Sequence, residues 1–94
     1  MKDFPELRRV FSGYLHEDFL AEYGSAEGAI AAFLADASDV EQQRFRREVR
    51  RFLSGAASLD LREVQRQVER LGSRWIPQTR EAVVSLLSTG SRQD

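Results

Sequence analysis

Residues 25–41 read SAEGAIAAFLADASDVE and hold the clearest helical pattern of the chain. The apolar side chains of this stretch recur at three- and four-residue steps, which places them along one side of an α-helix. They are Ala26, Ala29, Ile30, Phe33, Leu34 and Ala37. Ser25 is the expected N-cap of this helix, and Ser38 with Glu41 forms a capping box that opens the next one. The stretch therefore predicts two successive helices with a defined boundary.

Helical spacing extends to the N-terminal side of this stretch. A first helix is predicted from Pro5, because proline is favoured in the first turn of a helix. Its apolar side is formed by Phe4, Leu7, Phe11 and Tyr14. Asp18 is the expected cap of a short turn that carries Phe19, Leu20 and Tyr23. Gly24 ends that turn, since glycine readily adopts the left-handed conformation.

Similar spacing continues on the C-terminal side. The helix after the capping box is predicted to bury Phe45, Val49, Phe52 and Leu53. Residues 54–58 read SGAAS and predict a linker, after which Asp60 and Glu63 form a second capping box. The next helix places Leu61, Val64, Val68 and Leu71 on one side and ends at Gly72. A last helix through Val83, Leu86 and Leu87 is expected to end at Gly90, with a frayed tail from Ser91.

These patterns predict an all-α fold. No segment shows the sustained alternation and the β-branched enrichment of a strand. A chain of 94 residues that is 41% hydrophobic is long enough to bury one small core. We therefore expect a compact single domain over residues 1–94, built as a bundle of four to five short helices.

The composition narrows the possible chemistry. The chain has no cysteine, which excludes disulfides, thiolate metal sites and cysteine nucleophiles. Its glycines form no phosphate loop or dinucleotide-binding pattern, so no cofactor is expected. No apolar run approaches the roughly 18 residues of a membrane span, and the first residues lack a secretory signal. The sequence predicts a cytoplasmic protein that needs neither a metal nor a membrane.

Charge is divided unevenly along the chain, although the net charge is only −1. Residues 1–41 hold nine acidic against three basic residues, whereas residues 42–94 hold eleven basic against six acidic residues. Such a separation either steers a charged partner or lets the two halves attract each other. The sequence leaves both alternatives open, with mutual attraction of the halves as the simpler one.

The one histidine, His16, stands beside two acids in His16-Glu17-Asp18. Successive residues of a helix point about 100° apart, so these three side chains do not converge on one metal ion. We interpret His16 as a structural residue. The serines lie at caps and linkers, where their hydroxyls bond to the backbone, so no hydrolytic triad is expected. An enzyme is therefore not predicted.

Five arginines between residues 44 and 51 support an alternative function. They are Arg44, Arg46, Arg47, Arg50 and Arg51. Arginines at this density neutralise phosphates, which predicts a small helical regulatory or nucleic-acid-associated binding module. Glu48 interrupts this run, and Glu63 and Glu69 interrupt the arginines that follow. A solvated helix face, with arginine stems covering apolar surface, is the favoured interpretation.

Four blocks of the N-terminal half match a known family in order and spacing. They are Phe4-Pro5-Glu6-Leu7, Phe11-Ser12-Gly13-Tyr14-Leu15-His16-Glu17-Asp18-Phe19, Glu22-Tyr23-Gly24-Ser25 and Ala29-Ile30-Ala31-Ala32-Phe33. In these blocks the chain resembles the small helical immunity proteins of contact-dependent growth inhibition. The resemblance covers residues 4–53 well and residues 71–77 more faintly. Leu15, Glu17 and Phe19 depart from the family's usual aromatic residue, glutamine and tryptophan.

The resemblance implies an immunity protein that binds the C-terminal toxin domain of a large exported effector inside the producing cell. Many such toxin domains are nucleases, and the expected mechanism is stoichiometric occlusion without turnover. The candidate contacts with a basic toxin cleft are Glu17, Asp18, Glu22 and Glu27, with Tyr14 and His16 of the matching block. In the competing interpretation, Asp18 caps a helix and the other acids form a solvated face. The oligomeric state is left open.

Overall fold

The computed structural model describes the backbone of residues 4–91 and the side chains of residues 4–88. The described residues form six helices and no strand. The helices are α1 (Pro5–Gly13), α2 (Phe19–Tyr23), α3 (Ala26–Asp36), α4 (Asp39–Ala56), α5 (Leu61–Arg70) and α6 (Arg80–Ser91). Five longer helices and the five-residue α2 confirm the predicted all-α fold. Because α6 runs one residue past Gly90, the rest of the tail predicted to fray lies outside the described residues.

The core lies where α3 and α4 pack against α1 and α6. Helix α3 contacts α1, α2 and α6, while α4 contacts α1 and α6. The predicted apolar sides supply most of the buried side chains, and Val10 and Leu15 complete them. The rings of Phe33 and Phe45 meet in this core with their centroids 5.2 Å apart. Leu34 and Leu53 are only half-buried at its edge.

Caps set the boundaries of α3 and α4 as predicted. The Ser25 hydroxyl accepts the Gly28 N–H at 2.9 Å. The capping box is complete, because the Ser38 hydroxyl accepts the Glu41 N–H while the Glu41 carboxylate accepts the Ser38 N–H. Side-chain caps of this kind satisfy N–H groups that have no partner within the helix.

Two predicted features of the C-terminal half are wrong. Residues 54–56 belong to α4 and not to a linker, because Ala56 packs against the core and Gly55 keeps a negative φ. The second capping box is only half formed. Asp60 accepts the Glu63 N–H at 2.9 Å, but the Glu63 carboxylate turns to Arg66, which offers it an opposite charge.

A buried carboxylate that the sequence did not reveal caps α1. Glu48 of α4 is 5% exposed, and its Oε1 accepts the N–H groups of Glu6 and Leu7 at 2.9 Å each. Phe4, at the N-cap position of α1, provides no side-chain acceptor. Helix α4 therefore supplies the cap that α1 lacks, and this contact fixes α1 on α4.

Candidate functional site

Four exposed carboxylates lie along the turn from α1 to α2, on α2 itself and in the first turn of α3. They belong to Glu17, Asp18, Glu22 and Glu27, and together they are named the acidic surface. All four were candidate toxin contacts from the sequence. The other two candidates, Tyr14 and His16, are half-buried behind this surface.

Tyr14 ties the end of α1 to α2 and α3. Its hydroxyl donates to Asp36 Oδ2 at 2.8 Å. Its ring stacks on Tyr23 with centroids 5.8 Å apart and meets Phe33 edge-on at 5.6 Å. Burial, followed by the hydrogen bond to Asp36, raises the pKa of Tyr14 above its usual value. The hydroxyl therefore stays protonated and serves as an internal donor.

His16 uses both ring nitrogens within its own segment. Nδ1 accepts the Asp18 N–H at 3.1 Å, and Nε2 lies 3.4 Å from Glu22 Oε1. An acceptor at Nδ1 places the proton of the neutral ring on Nε2, where it faces the Glu22 carboxylate. This geometry supports the structural interpretation, because the ring closes the turn before α2 and orients Glu22.

Asp18 does not act as the predicted cap. It occupies the N-cap position of α2, but its side chain accepts no cap hydrogen bond. Its φ of −100° and ψ of 15° differ from the extended backbone that Ser25 and Ser38 adopt as caps. The Asp18 carboxylate is therefore exposed with no partner among the described residues, as are those of Glu17 and Glu27.

Leu20 is an exposed apolar residue within the acidic surface that the sequence interpretation missed. It is 63% exposed, the largest exposure among the large hydrophobic residues that the structure describes as exposed. Phe19 and Tyr23 lie four residues apart and pack against the core, so they share one side of α2. Leu20 follows Phe19 by about 100° around the helix and points away from that side. This offset of about 100° was the sequence signal from which the exposure of Leu20 could have been predicted.

No ion pair among the described residues joins the acidic half, residues 4–41, to the basic half, residues 42–88. Arg9 pairs with Glu6 at 3.2 Å and with Glu41 at 2.6 Å, all within residues 4–41. The pair between Arg66 and Glu63 lies within residues 42–88. Within the described part of the chain, mutual attraction of the two halves therefore has no ion pair to support it.

The arginines of α4 lie mostly at the surface. Arg44, Arg47, Arg50 and Arg51 are exposed, whereas Arg46 is half-buried and donates to Gln42 Oε1 at 3.4 Å. The Arg51 guanidinium lies 5.7 Å from the centre of the Phe4 ring and covers part of this apolar ring. This agrees with a solvated helix face, and nucleic-acid binding stays a prediction.

The described residues offer neither a metal site nor a membrane-spanning helix. No group of three or more His, Cys, Asp or Glu side chains there is placed to hold a metal ion. No helix within residues 4–91 combines the length and the apolar character that crossing a membrane requires.

A family model described as CdiI immunity protein matches residues 3–87. The chain belongs to this family. The match confirms the resemblance seen in residues 4–53 and 71–77 and extends it through most of α6. No curated protein and no solved structure matches the chain. Toxin neutralisation in bacteria is the role of CdiI immunity proteins, which are generally non-enzymatic, and a cognate toxin protein is the partner that membership implies.

Proposed function

We propose that the protein binds the C-terminal toxin domain of a contact-dependent growth inhibition effector and neutralises it by stoichiometric occlusion. The observation that carries this proposal is the acidic surface, where Glu17, Asp18 and Glu27 are exposed without a described partner. A nuclease toxin presents a basic cleft that binds phosphates, and these carboxylates complement such a cleft. The encounter takes place in the cytoplasm of the producing cell.

Leu20 provides the apolar anchor of the proposed interface. It lies between Asp18 and Glu22 and is 63% exposed in the free protein. Full burial of a leucine side chain contributes about 1.5–3 kcal/mol, and interface hot spots are typically buried anchors surrounded by polar residues. Tyr14 and His16 are positioning residues. The hydrogen bond of Tyr14 to Asp36 holds the end of α1 on α3, and His16 accepts the Asp18 N–H and lies beside Glu22.

Protection against a catalytic toxin requires that almost no toxin stays free. The expected dissociation constant is therefore nanomolar or lower, which corresponds to about −12 kcal/mol or more. An interface of standard size, about 1,600 Å² in total, is sufficient for such an affinity. The complex contains one immunity protein and one toxin domain.

Charge reversal tests the role of the acidic surface. The double variant Glu17→Arg/Glu27→Arg leaves Glu22 to hold His16 and changes two exposed carboxylates that have no described partner. Its association rate constant with the cognate toxin domain, measured by stopped flow at low and high salt, is expected to fall about tenfold at low salt. The difference between low and high salt should also shrink.

The matched control for this experiment is Glu69→Arg/Glu81→Arg. Both residues are exposed and lie on α5 and α6, so the change in net charge is the same while the acidic surface is intact. This control should associate about as fast as the unmodified protein. Equal slowing in both variants, or no slowing in either, would contradict a specific role for the acidic surface.

A further inference from the structure

A groove of about 530 Å³ lies between α1, α4 and α5. Its floor is apolar, with side chains from Phe4, Phe52, Ala56, Leu59 and Leu71. Three arginines, Arg8, Arg51 and Arg70, line the same groove, which is named the basic groove. The volume falls in the range typical of binding sites, about 300–1,000 Å³.

The charges of the three arginines are not neutralised by direct ion pairs, although the Arg51 charge acts on the Glu48 carboxylate at longer range. All three are exposed, and none forms an ion pair among the described residues. Arg8 donates to the Arg70 carbonyl at 3.3 Å, and the Arg51 guanidinium lies over the Phe4 ring. An occupant that complements this groove combines carboxylates with one exposed apolar side chain.

The chain carries such a segment itself. Leu20 is 63% exposed, and it lies two residues after Asp18, three after Glu17 and two before Glu22. The Glu17 and Asp18 carboxylates have no partner among the described residues, and the groove is larger than a leucine side chain. We propose that the basic groove binds the acidic surface of a second copy of this chain, with Leu20 on the apolar floor and the carboxylates at the arginines.

The two surfaces differ, so the contact joins copies head to tail. Each surface is small, which places the interface below about 1,200 Å² and the dissociation constant on the order of 100 µM. One consequence rests on the proposed function: in the self-associated form, Leu20 and its acids are covered and unavailable to the toxin. A nanomolar toxin therefore displaces the second copy, and the assembly dissociates into toxin complexes.

Two complementary variants test the proposal by sedimentation equilibrium. Leu20→Arg removes the anchor but keeps the groove, whereas Arg8→Glu/Arg70→Glu reverses the groove but keeps the acidic surface. Wild-type protein should gain average mass between about 10 µM and 1 mM at low salt, and the association should weaken about tenfold at 0.5 M salt. Each variant alone should stay monomeric, and an equimolar mixture of the two should form a one-to-one dimer.

Matched controls change the same residue types elsewhere. Val40→Arg alters another exposed apolar residue, and Arg44→Glu/Arg62→Glu reverses two exposed arginines outside the groove. Both should self-associate like the wild type, and circular dichroism should show native helix content in all four variants. A wild-type protein that stays monomeric at 1 mM, or a mixture that does not dimerise, overturns the proposal. Binding of an RNA or DNA duplex that requires Arg8 and Arg70, without self-association, also overturns it.

The outcome is separable from that of the proposed function. A tight toxin complex formed by a protein that never self-associates refutes only the second-copy contact. Self-association without any toxin complex refutes only the toxin partner and the consequence drawn from it.

Discussion

Glu48 joins two helices through a single oxygen. Its Oε1 holds the first free N–H groups of α1 from a position 42 residues away in the chain. Burial raises the pKa of Glu48, while the two N–H donors act in the opposite direction. The carboxylate remains in the core because these donors replace the water that it loses.

Removing this acceptor tests its contribution to stability. Glu48→Ala leaves two N–H groups without their acceptor and is expected to lower the free energy of unfolding by about 2–4 kcal/mol. Glu48→Gln keeps an oxygen acceptor and should lose about 1 kcal/mol. Urea denaturation measures both, with the exposed Glu69→Ala as the control. A loss in Glu48→Ala no larger than that in the control would show that the cap contributes nothing.

The carboxyl group of Glu41 makes the stability of the fold depend on pH. The Ser38 N–H, together with Arg9, lowers the pKa of Glu41 from its usual 4.5 to about 2. The folded state thus binds this proton less readily than the unfolded chain, so the stabilisation is present above pH 4.5 and is lost as pH falls towards 2. Glu48 acts with the opposite sign, because a raised pKa favours the folded, protonated form as pH falls.

Unfolding midpoints across this pH window test the assignment to Glu41. Glu41→Gln keeps the capping geometry but cannot titrate, so the slope of stability against pH should become shallower between pH 4.5 and 2. Gln43→Ala changes an exposed residue of the same helix that carries no titratable group, so it should keep the wild-type slope. Identical slopes in the wild type and Glu41→Gln would show that folding does not lower the pKa of Glu41.

Helices α2 and α5 are each followed by a glycine whose positive φ is unfavourable for other residues. Gly24 has a φ of 80° after α2, and Gly72 has a φ of 97° after α5. A Cβ at Gly72 would also lie 2.7 Å from Ser12 Cβ, whereas one at Gly24 would meet nothing within 4 Å. Gly72 therefore combines a left-handed turn with close packing on α1, and Gly24 requires only the turn.

Alanine at three glycines should separate these effects. Gly24→Ala is expected to lose about 1–2 kcal/mol of unfolding free energy through backbone strain alone. Gly72→Ala should lose more, about 2–4 kcal/mol, because the contact with Ser12 adds to the strain. Gly13→Ala, at the last residue of α1 with open space around it, should gain up to about 0.5 kcal/mol. If Gly72→Ala lost no more unfolding free energy than Gly24→Ala, the contact with Ser12 would contribute nothing to the loss.

Local signals decided which helices were predictable. Ser25, Ser38 and the apolar spacing of residues 25–41 act over three or four residues, so the boundaries of α3 and α4 could be read from the sequence. The helical state of residues 54–56 depends on packing of Ala56 against the core, which outweighs the weak local signal of a serine and a glycine. The cap formed by Glu48 and the basic groove could not be predicted from the sequence, because the residues that form them meet only in the folded chain.

At the scale of the whole molecule, the uneven charge becomes two unlike surfaces. Leu20 lies in sequence between Asp18 and Glu22 of the acidic surface and is exposed, and the basic groove is lined by Arg8, Arg51 and Arg70 together with apolar side chains. The acidic candidates could be named from the sequence because they lie within eleven residues of one another. Only the structure could show that Glu17, Asp18 and Glu27 have no partner among the described residues while Glu22 lies beside His16, and the uncapped carboxylate of Asp18 illustrates this.

Titration of the cognate toxin domain with this protein tests whether neutralisation occurs by stoichiometric binding. Residual toxin activity is measured as the ratio of immunity protein to toxin rises, at toxin concentrations well above nanomolar. Stoichiometric occlusion predicts a linear loss of activity that reaches zero at one equivalent, with a one-to-one complex on size exclusion. Loss of activity at far less than one equivalent, or full activity at a large excess, would contradict neutralisation by binding.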